Sequence, residues 1–139
     1  MTTPERPGPQ RLWPDGWAPP HGYSNGVVAA GRLVVLAGQV GWKPESAAFE
    51  TDDFAGQARQ ALANIARLLR EAGAGPQHVV RLTWYVTDRA AYTASRPALG
   101  VAYREVMGSH YPPMSLVFVS GLVEERALVE IEATAVLPP

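Results

Sequence analysis

A chain of 139 residues, 47% hydrophobic and 18% charged, has the size and composition of one globular domain around a single core. Its net charge of −1 gives no bulk attraction to nucleic acid or to a membrane, and the absence of cysteine excludes disulfides, thiol nucleophiles and thiolate metal sites. No stretch reaches the roughly 18 apolar residues of a membrane span. The N-terminus also lacks an apolar segment of signal-peptide length, so a cytoplasmic protein with no membrane or nucleic-acid partner is expected.

Residues 1–20 hold six of the thirteen prolines and read as an extended N-terminal arm. Trp13 and Trp17 within it predict that the arm lies on the body or on a neighbouring subunit, since two indoles are poorly placed in water. The domain itself is read as residues 21–139. Its first segment, "GVVAAGRLVVLAGQVGW", predicts a hairpin of residues 27–30 and 33–39 with Gly31 in the turn. Gly38 interrupts the second strand, as a glycine does at a bulge or where a ligand or another chain segment comes close.

"TDDFAGQARQALANIARLLREAGAG" carries the clearest helical signal. Ala58, Ala61, Leu62, Ile65, Leu68, Leu69 and Ala72 recur at steps of three and four. Thr51 or Asp52 is expected to cap its start and Gly73 to end it. "HVVRLTWYVTD" alternates, with Val80, Leu82, Trp84 and Val86 on one face and Arg81, Thr83 and Tyr85 on the other. Strand, long helix and strand make a parallel crossover unit. A second helix is predicted over residues 98–107, with Pro97 in its first turn and Leu99, Ala102, Tyr103 and Val106 as its stripe.

Residues 111–137, "YPPMSLVFVSGLVEERALVEIEATAVL", read as two strands joined by a charged turn. The second strand holds Glu130 and Glu132 on one face. The order β-β-α-β-α-β-β predicts an α/β sandwich, two helices on one face of a mixed sheet. The opposite face, with Thr83, Tyr85 and Ser115, is too mixed for an inner layer, so it is expected to be covered by another subunit. His21, His78 and His110 are scattered without metal-ligand spacing, and no phosphate-binding glycine loop is present.

These pieces resemble the Rid/YjgF family, whose best-known members hydrolyse reactive enamines and imines. The matching stretches are "GYSNGV", "LAGQVGWKPES", "DFAGQARQALANIARLLREAGAG", "VVRLTWYVTD" and "VEIEATAV". The resemblance implies a chorismate-mutase-like subunit, three of which form a barrel with ligand clefts at the subunit interfaces. It implies a small-molecule ligand, a homotrimer and no cofactor. Active family deaminases carry an arginine after the proline that precedes the strand following the second helix, where it grips the substrate carboxylate. Here Pro113-Met114-Ser115 places Met114 at that position. An asparagine often found on the second helix is replaced by Gly100.

The resemblance makes Glu130 the candidate catalytic residue, a carboxylate able to position water and shuttle its proton. It implies Tyr23, Gly38, Met114 and Ser115 as lining the cleft. Trp42, in the loop after "AGQVG", is expected to shape it as an apolar wall. Arg96 is the first candidate to substitute for the missing cation, with Arg81 and Arg104 behind it. Two functions remain open at this point. One is hydrolysis of an enamine or imine other than 2-aminoacrylate. The other is a non-catalytic trimer that binds an apolar small molecule or a partner.

Overall fold

The computed structural model describes residues 9–139. In chain order its elements are β1 (Gln10–Leu12), β2 (Gly26–Val28), β3 (Arg32–Val35), β4 (Gln39–Val40), α1 (Phe54–Glu71), β5 (Val79–Val86), α2 (Arg89–Ala94), α3 (Arg96–Met107), β6 (Met114–Phe118) and β7 (Val129–Leu137). A mixed sheet with the order β3-β7-β5-β6 carries the fold, and β4 continues the β3 edge along β7.

The α1 helix forms where the apolar period predicts, and its inner face, including Ala58, Ala61, Leu62, Ile65 and Leu69, is buried. Leu68 departs from the predicted stripe: it is 39% exposed, on the outer edge of the helix. The cap is Asp53 rather than Thr51 or Asp52. Its carboxylate accepts from the Gly56 N–H at 2.8 Å, and Thr51 Oγ1 accepts from the Asp53 N–H. Asp52 instead pairs with Arg126 at 2.9 Å. At the other end Gly73 takes a left-handed φ of 76°, and the Gly73 and Ala74 N–H groups bond back to Arg70 and Leu69. The fully buried Gln57 ties α1 to the chain entering β7. Its amide nitrogen donates to the Thr51 and Arg126 carbonyls, and its oxygen accepts from the Leu128 N–H.

The predicted hairpin is not formed. β2 pairs with β1, which joins part of the N-terminal arm to the body, while β3 pairs with β7. Gly31 is required for a different reason: a Cβ there would lie 1.7 Å from the Leu137 carbonyl oxygen. Trp13 and Trp17 remain more than half exposed, linked by a hydrogen bond from the Trp13 Nε1 to the Trp17 carbonyl. Residues 1–8 of the arm lie outside the described residues. A second helix also precedes α3: residues 89–94 form α2, capped by Asp88.

In β5, Leu82, Trp84 and Val86 are buried as the alternation predicts, but Val79 takes the place of Val80. A register shift between Val79 and Arg81 turns Val80 out of phase. β5 runs antiparallel to β7 and parallel to β6. Leu82, Trp84, Val129, Ile131 and Ala133 join α1 in the core on the helix side of the sheet. The opposite face carries Leu33, Val35, Thr83, Tyr85, Ser115, Val117 and Glu132, and is open. Leu33 is 66% and Val35 69% exposed.

Candidate functional site

On the helix side, a cavity of about 890 Å³ opens between α3 and the β5–β6 edge of the sheet. Met114 and Leu116 line it from β6, beside Trp84 of β5. Alternate residues of a strand share a face, so these three point to the helix side together. Leu99, Gly100, Tyr103 and Arg104 line it from α3, one helical turn apart. Tyr103 is fixed by donating to the His110 carbonyl at 2.6 Å and by stacking on Tyr111, ring centroids 5.1 Å apart. Burial, and then the neighbouring Tyr111, push its phenol above the ordinary tyrosine range.

Tyr23 enters the cavity from the loop before β2. The next residue anchors it: the Ser24 N–H donates to the Pro112 carbonyl and the Ser24 hydroxyl to the Tyr111 carbonyl. Arg96 lies at the start of α3 beside the Tyr92 ring, with its guanidinium carbon 6.0 Å from the ring centroid. The indole N–H of Trp84 is buried and has no acceptor among the described residues.

The second cluster is on the open face. Glu130 lies in β7 opposite Tyr85 and next to β4. Gly38 sits directly beneath its side chain, where a Cβ would come 2.3 Å from Glu130 Oε1. The interruption of the edge strand thus makes room for a carboxylate. One step along, the Tyr85 hydroxyl donates to Glu132 Oε1 at 2.7 Å. That bond, with desolvation and the carboxylate charges behind it, raises the Tyr85 phenol above its ordinary range. Ser115 is on the same face, at the 3.5 Å limit of a hydrogen bond from Arg81.

Residues 15–137 match the family described as Endoribonuclease L-PSP. A RutC family protein of Synechocystis is 32% identical over 120 residues, 86% of this chain and 89% of that protein. A 2-iminobutanoate/2-iminopropanoate deaminase of Capra hircus is 31% identical, over 84% of this chain and 81% of that one. The crystal structure of a Rid-family protein of unknown function from Yersinia pestis superposes with a TM-score of 0.82 at 34% identity, covering 94% of this chain and 99% of that one. The chain belongs to the Rid/YjgF family.

In this Rid-family chain the expected site residues fall into two groups. Tyr23, Met114 and Arg96 meet in the helix-side cavity. Glu130, Gly38 and Ser115 lie on the open face, because Met114 pairs with Leu82 and Glu130 with Tyr85, three residues apart on β5. Trp42 belongs to neither group. It packs against Phe49 at 5.9 Å, and its carbonyl accepts from Asn64. His110 is occupied structurally, its ring bonded to the Val79 carbonyl.

Two lining residues had no distinct signal in the sequence. Arg11 reaches the cavity from the arm, whose composition has no period. Tyr92 belongs to α2, which is too short to show one. The Tyr85–Glu132 pair was legible as two polar residues on one face of alternating strands, though not as partners.

Proposed function

We propose that the protein hydrolyses a reactive enamine or imine, releasing ammonia and a carbonyl compound, and that its substrate is not 2-aminoacrylate. The observation that carries this reading is Glu130. It is a half-buried carboxylate with no hydrogen bond or ion pair among the described residues, and the chain leaves space for it at Gly38. Such a group is free to bind water. It takes a proton from that water as the oxygen adds to the electrophilic C=N carbon and returns it to nitrogen, giving a carbinolamine. It then takes the carbinolamine hydroxyl proton as the carbonyl forms and delivers it to nitrogen as the C–N bond breaks and ammonia leaves. An enamine enters the same sequence after tautomerising to its imine, and no cofactor is required. The deaminase activity named for the goat relative supports this reaction class.

Tyr23, Met114 and Glu130 act on one ligand when the helix-side cavity of one subunit meets the open face of the next. The reading therefore includes a homotrimer with its ligand at the subunit interface. The exposed Leu33, Val35 and Val117 on the open face support it. Ser115 and the backbone near Gly38 hold polar substrate atoms there. Met114 offers no charge to a carboxylate beside the imine carbon, so a small imino acid held only at the β6 floor leaves that group unpaired in a partly dry site, which is costly. The test generates imines in situ. A dehydratase supplies 2-aminoacrylate, and an amino-acid oxidase supplies imines of larger amino acids. Faster keto-acid release from the larger imines, with none from 2-aminoacrylate, is expected. No acceleration with any imine removes the hydrolase reading.

A further inference from the structure

We infer that the cavity takes a carboxylate-bearing ligand with a bulky apolar or aromatic body, its anion held by arginines of α3 instead of a residue of β6. The reaction remains the one proposed above, and the inference names its substrate class.

Charge is the first ground. The chain carries −1 overall, yet Arg11, Arg96, Arg104 and His21 line this cavity and no aspartate or glutamate does. Arg59, Arg67 and Arg126 hold carboxylate partners elsewhere, while Arg32, Arg70, Arg81 and Arg89 outside the cavity hold none among the described residues. Arg96 and Arg104 have none among the described residues. Unpaired guanidinium groups around a cavity are suited to a carboxylate, which they bind through paired N–H donors.

Gly100 is the second ground. Glycine inside a helix costs about 1 kcal/mol relative to alanine. Here a Cβ would stand 3.3 Å from Arg104 Nη1, one turn further along α3. The missing side chain spares the guanidinium a shift of a few tenths of an ångström. Met114 and Gly100 together thus describe a cation moved from the strand to the helix.

The remaining lining sets the ligand's body. Met114, Leu116, Leu99 and the Tyr92 ring give an apolar surface, and the cavity of about 890 Å³ in the single subunit is larger than a three-carbon acid fills. Methionine adapts to varied apolar shapes. The buried Trp84 N–H without an acceptor adds an unused donor in this wall. A three-carbon imino acid leaves most of this volume unfilled, whereas one with an aromatic side chain covers more of the apolar lining.

The test is a binding measurement, independent of turnover, using keto acids as stand-ins for the product. Phenylpyruvate, pyruvate and the uncharged phenylacetone are titrated by calorimetry against the wild-type protein and an Arg96→Gln/Arg104→Gln double variant. Both arginines are exposed, and a melting curve checks that the variant folds. Phenylpyruvate is expected to bind at least about tenfold more tightly than either of the others, and the double variant to lose about tenfold or more. Equal binding of phenylacetone and phenylpyruvate, equal binding of pyruvate and phenylpyruvate, or unchanged binding in the double variant overturns the inference. Charge-dependent binding of phenylpyruvate with no imine turnover leaves it standing and sinks the hydrolase reading alone.

Discussion

Glu130 depends on Gly38 for its space, and that dependence can be tested at one atom. In Gly38→Ala the new methyl would fall on the carboxylate, the far end of a flexible side chain, so the side chain moves and the backbone does not. Turnover is expected to drop by about 10²-fold or more, the scale of a misplaced acid–base group, with the melting temperature nearly unchanged. Comparing steady-state rates with thermal melts checks this, and a large loss of stability without loss of rate would contradict it. Tyr103 supports a pH prediction. Its folded pKa lies above the unfolded value near 10. The stability this shift contributes is therefore full below about pH 10 and is lost as pH rises through the folded value. Tyr103→Phe should cost about 1 kcal/mol at neutral pH, from the lost bond to His110, and should flatten the alkaline limb of a pH–stability curve. Single residues were unevenly legible in the sequence. Gly38 announced a close approach, but only the fold shows that the approaching group is Glu130.

At the scale of elements, α1 was read correctly because its stripe repeats over five turns, and a long period outweighs local exceptions such as Leu68. The hairpin failed for a nonlocal reason. Two short apolar runs around Gly31 look alike whether they pair with each other or with distant strands, and here β1 and β7 took them. Short α2 left no periodic trace at all. Gln57 is one of two buried side chains, with Asn64, that tie α1 to neighbouring segments, and its three bonds hold the Thr51 and Arg126 carbonyls and the Leu128 N–H. Gln57→Leu keeps the volume but strands those groups. A loss of about 1–3 kcal/mol or more in urea denaturation is expected, and a neutral result would show that water replaces the amide.

For the whole molecule, the alternation of β5–β7 made the two faces of the sheet legible, and the mixed open face pointed to a second copy. What the sequence left hidden was the placement of Met114 and Glu130 on opposite faces, because that follows from strand register and not from strand pattern. On the proposed function one subunit holds two half-sites that a trimer joins, and sedimentation at micromolar concentration is then expected to give three times the mass of the chain. Leu33→Glu, on the open face, should shift that mass downward and reduce turnover together. A wild-type monomer that turns over imines would contradict the shared site.

The most direct measurement is the turnover of Glu130→Gln on oxidase-generated imines of large apolar amino acids. The amide keeps the shape of the side chain and cannot take a proton from water. The expected result is a fall of about 10²–10⁴-fold in the rate of ammonia release, with the same assembly state and the same affinity for phenylpyruvate. Turnover equal to wild type would remove Glu130 from the chemistry and with it the proposed mechanism.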